Sequence, residues 1–296
     1  MKKPELTIGI SFYNAKDNII NLARCIYSQT FSDWELILAD DGSTDGGADI
    51  ARKIKDPRVK VIGEGKNRGM AVRYNQITKM AQGEFIARFD ADDLCDPRRF
   101  EKQISFFREN PDIDVVSSDL LSLDEKDQPI NRRTNPTIHQ EIFRHPLKLI
   151  LFHHGPLMGR TRWFNKFPYL EEYRVAVDYG LYLSSFYESY FANIAEPLYF
   201  YREYATHSFR KYYHTNLNYS NIIKNYAPPI FSSRQLLAAR IARYLRIGAY
   251  AITTATGLQR KLISRRHNLV LSEQDRKQFE QAMNIIKATK IPGIDT

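Results

Sequence analysis

The first 120 residues alternate short apolar runs with helical patterns, and this alternation constrains the fold more than any other feature. The predicted strands cover residues 6–12, 34–40, 59–63, 84–89 and 114–120. The predicted helices between them cover residues 19–27, 48–55, 70–81 and 98–110. Strands that alternate with helices form a mainly parallel sheet with helices on both faces, so the sequence predicts an α/β fold.

The second part of the chain is less regular. Residues 121–137 are polar, and the segment 138–152 has a helical pattern that predicts an excursion over the sheet. A helix is predicted at 180–190 and a strand at 194–202, and helical patterns dominate beyond residue 206. We therefore predict one domain over 1–208, with a donor half (1–120) and an acceptor half (121–208), followed by a helical region over 209–296.

Charge divides the chain at the same place. Residues 1–209 contain 28 Lys and Arg against 30 Asp and Glu, whereas residues 210–296 contain 15 against 4, a net charge of +11. The basic region contains no nucleic-acid recognition motif, so we expect an anionic surface such as a membrane as its partner and no nucleic acid. The longest uncharged stretch there, 247–259, has 13 residues and is too short to span a bilayer.

Two cysteines exclude a disulfide scaffold and are typical of a reducing compartment. The start of the chain, MKKPELTIGIS, does not have the pattern of a signal peptide. We expect a cytoplasmic protein, with peripheral association at the inner face of the cell membrane.

Acidic clusters follow two of the predicted strands. Asp40 and Asp41 begin the segment DDGSTDGG, and Asp90, Asp92 and Asp93 lie in FDADD. Ligands of parallel sheets bind outside the carboxyl ends of the strands, where these carboxylates fall. The first cluster is also typical of a turn with a helix N-cap. In the second, three carboxylates within four residues repel one another, which favours a bound Mn²⁺ or Mg²⁺.

These segments together resemble glycosyltransferase family 2, whose members have the GT-A fold. The resemblance runs through TIGISFYNAKDNI, SQTFSDWELILADDGSTDGG, KNRGMAVRYNQ and GEFIARFDADD, and reaches more thinly to about residue 208. It implies an inverting, metal-dependent transferase that uses a nucleotide sugar, normally a UDP-sugar, and a glycan or glycolipid acceptor in surface polysaccharide synthesis. The chain has neither a Walker loop nor a GxGxxG motif, which counts against a nucleotide-hydrolysing or dinucleotide-binding protein.

The resemblance also implies roles for individual residues. Ser11 and Tyr13 would line the nucleotide pocket, Asp41 would bind the uracil imide with Asp40 beside it, and Asn67 and Arg68 would contact the nucleotide or its sugar. Within the DxD segment, Asp90 would bind the donor, and the metal would be held by Asp90, Asp92 and Asp93.

The expected catalytic base is Asp178, in the segment AVDY at the start of a predicted helix. The same aspartate could be an ordinary N-cap. Val177 stands where the family has glutamate. Tyr201 and Arg202 match a further family segment, in which Tyr204 takes the place of histidine and His207 follows. His153 and His154 are interpreted as structural or acceptor-contacting.

The tail segment 239–266 predicts a basic amphipathic helix with arginines at 240, 243 and 246. Such a helix could lie on an anionic membrane or pack on the core with a solvated basic face. Two other functions stay open at this point: a nucleotidyltransferase with a similar carboxylate-lined site, and a nucleotide-sugar-binding module with weak or lost turnover.

Overall fold

The computed structural model describes residues 3–148, 150–203, 209–255 and 269–295. Its strands are β1 (Leu6–Phe12), β2 (Trp34–Asp40), β3 (Val59–Gly63), β4 (Phe85–Asp90), β5 (Leu94–Cys95), β6 (Val115–Leu123), β7 (Pro129–Arg133), β8 (Met158–Arg160) and β9 (Phe191–Arg202). Its helices are α1 (Ile19–Tyr27), α2 (Gly47–Arg52), α3 (Met70–Met80), α4 (Arg99–Glu109), α5 (His139–Ile142), α6 (Thr161–Lys166), α7 (Val177–Ser185), α8 (Phe209–Tyr226), α9 (Ser233–Ala255) and α10 (Glu273–Ala288).

The described strands form one sheet in the order β3-β2-β1-β4-β8-β6-β9-β5, with β7 paired to β6. The first four strands in this order are parallel to one another, and β6 is parallel to β9. The short strand β8 is antiparallel to both β4 and β6 and joins the two parallel parts. The predicted α/β class with a mainly parallel sheet is confirmed.

The strands β1, β2 and β4 are buried along nearly their whole length. They are buried because helices cover both faces of the sheet. On one face, Leu6, Ile8 and Ile10 pack in a core that includes residues of α1, α4 and α10. On the other face, Ile37 and Ile86 pack in a core with residues of α3, α6 and α7. Outside the two cores, the carboxyl ends of β1, β2 and β4 lie side by side along one edge of the sheet.

The predicted helix over 138–152 is wrong. Among the described residues of this segment, the helix covers His139–Ile142, and 143–148 and 150–152 are irregular. Pro146 accounts for the difference, because proline lacks a backbone N–H and disfavours helical conformation in the residue before it.

The C-terminal helices pack against the rest of the chain. In α9, Arg243 is buried, with 5% of its surface exposed, and donates hydrogen bonds to the carbonyls of Leu147 and Lys148 at 3.1 and 2.8 Å. Phe279 of α10 lies edge-on to Phe200 of β9, with ring centroids 5.0 Å apart. The domain boundary at residue 208 stays a prediction from the sequence pattern. In the structure, α10 shares a core with residues that precede this boundary. No described helix combines the length and the apolar character that crossing a membrane requires.

Candidate active site

The expected site lies at the carboxyl ends of three adjacent strands. In the register of the sheet, Ser11 of β1 is opposite Asp90 of β4, and Phe12 is opposite Asp40 of β2. A cleft of about 310 Å³ opens there, lined by the segment 11–15, Asn18 and the segment 90–92. Tyr13, with 51% of its surface exposed, stands in the lining of this cleft. The structure thus brings Ser11, Tyr13, Asp90 and Asp92 together around one cleft.

Asp40 stabilises the turn that follows β2. Its Oδ1 accepts a hydrogen bond from the backbone N–H of Ser43 at 2.9 Å, as an Asx turn requires. Gly42 adopts φ +82°, and a Cβ atom at this position would lie 2.8 Å from the backbone carbon of Lys66. Only glycine allows the turn to pack this closely on the segment that carries Asn67 and Arg68.

Asp41 is buried and holds the beginning of α3. Its carboxylate accepts hydrogen bonds from the backbone N–H groups of Arg68 at 2.8 Å and Gly69 at 2.9 Å, and from Nε of Arg73 at 2.9 Å. Arg73 is fully buried and also donates to the carbonyl of Lys66. Asp41 and Arg73 together fix the segment 66–69 beside the turn after β2.

The segment 66–69 is connected to the chain that leads to Asp178. Arg174 donates from Nη1 to Oδ1 of Asn67 at 2.7 Å and from Nη2 to the carbonyl of Asn67 at 3.1 Å. Arg68 points elsewhere and forms an exposed ion pair with Glu64 at 3.4 Å. The contact between Arg174 and Asn67 links the predicted donor and acceptor halves.

The DADD loop carries a concentration of negative charge. Burial and the charge of Asp90 raise the pKa of Asp92 above its ordinary value. Asp93 is buried, accepts the N–H of Arg202 at 2.9 Å, and has a pKa that burial and its two acidic neighbours raise well above the ordinary value. Asp90 is paired through both carboxylate oxygens with Arg88, at 2.7 Å for Nη1 to Oδ2.

Arg202 holds the DADD loop in place. Its guanidinium donates to the carbonyl of Asp92 at 2.5 Å and to Oδ1 of Asn18 at 3.2 Å, and binds both oxygens of Asp127 at 2.5 and 2.9 Å. Arg202 of the Tyr201–Arg202 segment therefore contacts the DADD loop beside the site. Tyr204 and His207 lie outside the described residues.

The residues of this loop fit a divalent cation. Asp90 and Asp92 line the same cleft, and the raised pKa values of Asp92 and Asp93 show that positive charge near them would be favourable. Among the described residues no group of three or more His, Cys, Asp and Glu forms a complete metal cage. Mg²⁺-type sites commonly use one or two carboxylates and take their other ligands from substrate phosphates and water.

Asp178 lies in the first turn of α7 and is half-buried. Burial raises its pKa above the ordinary value; the charge of Arg88 acts in the opposite direction, and that of Asp90 raises it further. The preceding Ala176 adopts φ 64°, a left-handed conformation that costs a non-glycine residue energy. Val177 packs in the core, so the valine that replaces the family's glutamate has an apolar role here.

His153 and His154 are neutral residues of the interior. Burial lowers the pKa of His153 to about 4, and burial together with the charge of Arg88 lowers that of His154 well below its ordinary value. Nε2 of His154 lies 2.9 Å from the hydroxyl of Tyr169. The interpretation of this pair as structural or acceptor-contacting stays a prediction.

This chain is similar to known proteins in both sequence and structure. The family model for glycosyl transferase family 2 matches residues 7–174, more than half of the chain. The putative glycosyltransferase EpsE of Bacillus subtilis is 37% identical over 125 residues, which cover 41% of this chain and 45% of EpsE. The glucosyltransferase WfaP of Escherichia coli, named as transferring from UDP-Glc to α-D-GlcNAc-diphosphoundecaprenol in a β-1,3 linkage, is 39% identical over 101 residues, which cover 34% of this chain and 40% of WfaP.

The matched segments thus span less than half of either relative. Among solved structures, residues 1–349 of Staphylococcus aureus TarS in complex with UDP-GlcNAc superimpose with a TM-score of 0.63 at 19% identity. This similarity covers 97% of the present chain and 82% of that one, and it shows that the two share a fold.

Proposed function

This chain belongs to glycosyl transferase family 2, and we propose that it is an inverting, metal-dependent enzyme. It transfers a sugar from a UDP-sugar to a glycan or glycolipid acceptor in surface polysaccharide synthesis. The observation that carries the proposal is the convergence of Asp90, Asp92 and Asp178. Asp90 and Asp92 line the cleft at the sheet edge. Burial raises the pKa of Asp178 and the charge of Asp90 raises it further, so Asp178 lies within electrostatic range of Asp90.

The nucleotide would lie along the edge formed by β1, β2 and β4. Tyr13 offers an exposed ring for the base, and Ser11 and Asp90 offer the polar groups of the cleft. For the uracil imide, Asp41 would offer a carboxylate that is buried and already accepts hydrogen bonds from Arg68, Gly69 and Arg73. Asn67, held by Arg174, would close the donor side. Arg68 would reach the donor only on leaving its exposed ion pair with Glu64. Asp90 and Asp92, with Asp93 behind them, would hold Mn²⁺ or Mg²⁺, which neutralises charge on the departing diphosphate.

Asp178 would act as the general base. Its carboxylate takes the proton of the acceptor hydroxyl, and the freed oxygen lone pair forms the new bond to the anomeric carbon as the bond to the diphosphate breaks. A pKa raised above the ordinary value makes this carboxylate a better proton acceptor than an exposed aspartate. A single displacement of this kind inverts the configuration, so an α-linked donor gives a β-linked product.

The experiment is a panel of nucleotide sugars assayed for hydrolysis and transfer with Mn²⁺ and with EDTA. In Asp178→Asn we expect unchanged UDP affinity and a turnover reduced by roughly 10²–10⁴, because the amide cannot accept the proton. Asp49→Asn is the matched control, since Asp49 also lies in the first turn of a helix but is exposed and pairs with Arg52. Full activity in EDTA would refute the metal site, and an active Asp178→Asn variant would refute the base.

We also propose that the C-terminal region binds the cytoplasmic face of an anionic membrane, through a surface other than the predicted arginines. The outer face of α9 exposes Leu237, Ile241, Tyr244 and Leu245, the last with 68% of its surface exposed. The sequence that follows, 256–268, contains four basic and no acidic residues. An apolar helix face next to basic chain is typical of a helix that lies in the lipid headgroup region.

Vesicle sedimentation tests this surface. Ile241→Asp should release the protein from phosphatidylglycerol-containing vesicles at low salt, while leaving UDP-sugar hydrolysis unchanged. Ile285→Asp on α10 is the matched control, because Ile241 and Ile285 are each 49% exposed. Binding that survives Ile241→Asp, or a wild-type protein that ignores anionic vesicles, would contradict the membrane role.

A further inference from the structure

Arg88 is a buried cation that binds one of the carboxylates of the candidate site, and the family resemblance assigns it no role. It lies on β4 two residues before Asp90, so both side chains are on the same face of the strand. Only 3% of its surface is exposed. Its two terminal nitrogens bind the two carboxylate oxygens of Asp90, the bidentate geometry that arginine and carboxylate favour.

Apart from Asp90, Arg88 has only weak partners for its charge. Its guanidinium carbon lies 5.3 Å from the ring centroid of Tyr74, and Nη2 lies 3.3 Å from Sδ of Met70. Nε is buried without a hydrogen-bond partner among the described residues. Replacing a buried ion pair by apolar residues is often neutral or stabilising, so stability alone does not explain an arginine in the strand FIARFD.

The charge of Arg88 acts on both sides of the site. It favours the ionised form of Asp92 in the DADD loop and of Asp178 in α7. Together with burial, which is the larger effect, it lowers the pKa of His154 well below the ordinary value. One fixed positive charge is therefore within electrostatic range of both the expected donor side and the expected base.

We propose that Arg88 is a positioning residue for the sugar donor, acting through Asp90. This role rests on the proposed function. Arg88 fixes the orientation of the Asp90 carboxylate before the nucleotide binds. It also offsets the repulsion among Asp90, Asp92 and Asp93. The donor then meets a carboxylate already held in one geometry, and less binding energy is lost in ordering it.

A double-mutant cycle tests this route of action. UDP affinity is measured by calorimetry with Mn²⁺ for the wild type, Arg88→Met, Asp90→Asn and the double variant. We expect each single change to weaken UDP binding at least tenfold, and the second change to add less than about threefold, because both remove the same preset carboxylate. Donor KM should rise by a similar factor while kcat changes by less, and Arg88→Lys should restore part of the affinity.

Arg160→Met is the matched control. Arg160 is the last residue of β8, opposite Phe85 at the start of β4, and pairs with Glu84 away from the cleft. It should leave UDP affinity unchanged. Additive losses in the cycle, or an Arg88→Met variant that is folded by circular dichroism and binds UDP like the wild type, would overturn the role of Arg88 and leave the proposed function standing. A wild-type protein that binds no UDP would overturn the proposed function and the donor role together.

Discussion

Replacing Arg243 by methionine tests whether the arginines of α9 serve the interior or a surface. The side chain is buried, donates to two carbonyls at 3.1 and 2.8 Å, and its guanidinium carbon lies 4.5 Å from the ring centroid of Tyr219 and 5.5 Å from that of Tyr179. Methionine keeps most of the volume and removes the charge and every donor. The change therefore isolates the polar contacts of this one side chain.

The expected loss follows from those contacts. A hydrogen bond from a charged donor contributes about 1.5–3 kcal/mol. For each of the two bonds we take the lower value, because Lys148 is exposed and its carbonyl is within reach of water. The two ring contacts contribute about 0.5–1 kcal/mol more. The avoided desolvation of the guanidinium and the apolar burial of methionine offset part of this. We expect the free energy of unfolding to fall by about 2–3 kcal/mol.

Denaturant unfolding followed by circular dichroism measures this loss, and Arg246→Met is the control. Nη1 of Arg246 lies 3.5 Å from the carbonyl of Lys148 in an exposed contact, so its replacement should cost about 0.5 kcal/mol or less. Both variants lose one positive charge, so any purely electrostatic effect on vesicle binding should be similar in the two. Equal stabilities, with vesicle binding lost only in Arg243→Met, would refute the packed arrangement of α9.

Four further expectations concern the site itself. Because folding raises the pKa of Asp178 above the ordinary 3.8, activity should fall as the pH decreases through that raised value. The ionised form is disfavoured in the fold, so Asp178→Asn should be more stable than the wild type at neutral pH and lose this advantage under acidic conditions, as measured by thermal unfolding. Ala176→Gly should raise the free energy of unfolding by about 0.5–1 kcal/mol, because glycine relieves the left-handed strain. Gly42→Ala should lower it by about 2 kcal/mol and weaken UDP binding, because its Cβ would collide with the Lys66 backbone at a φ of +82°; unchanged values would contradict each expectation.

The sequence was most informative where the physics is local. The periodicity of the first 120 residues predicts β1, β2 and β3 to the residue, since each is a short apolar run between turn-forming residues. The strand β8, which pairs antiparallel between β4 and β6, could not be predicted from the sequence, because three residues are too few to show periodicity. Pro146 lay inside the predicted helix 138–152 and was the signal that should have ended it.

The candidate site was predictable in its acidic residues and much less in its basic ones. Carboxylates directly after buried strands can be located from the pattern alone, because parallel strands bring their carboxyl ends to one edge. Arg73 and Arg202 contact Asp41 and the DADD loop across 32 and 109 residues of sequence, distances over which no local pattern operates. Arg88 did leave a signal, since a charged residue inside an otherwise apolar buried strand requires a partner.

The basic residues show how the acidic edge of the sheet is balanced. Arg73 pairs with Asp41, Arg88 pairs with Asp90, and Arg202 donates its N–H to Asp93. Asp92 stands apart: Arg202 binds its backbone carbonyl, and its carboxylate forms no ion pair among the described residues. Because burial and the charge of Asp90 raise the pKa of Asp92 in this arrangement, the negative charge that protein groups leave least compensated lies in the cleft itself. A divalent cation would therefore gain most by binding beside Asp92, and the fixed arginines account for why one ion can be enough for a loop with three carboxylates.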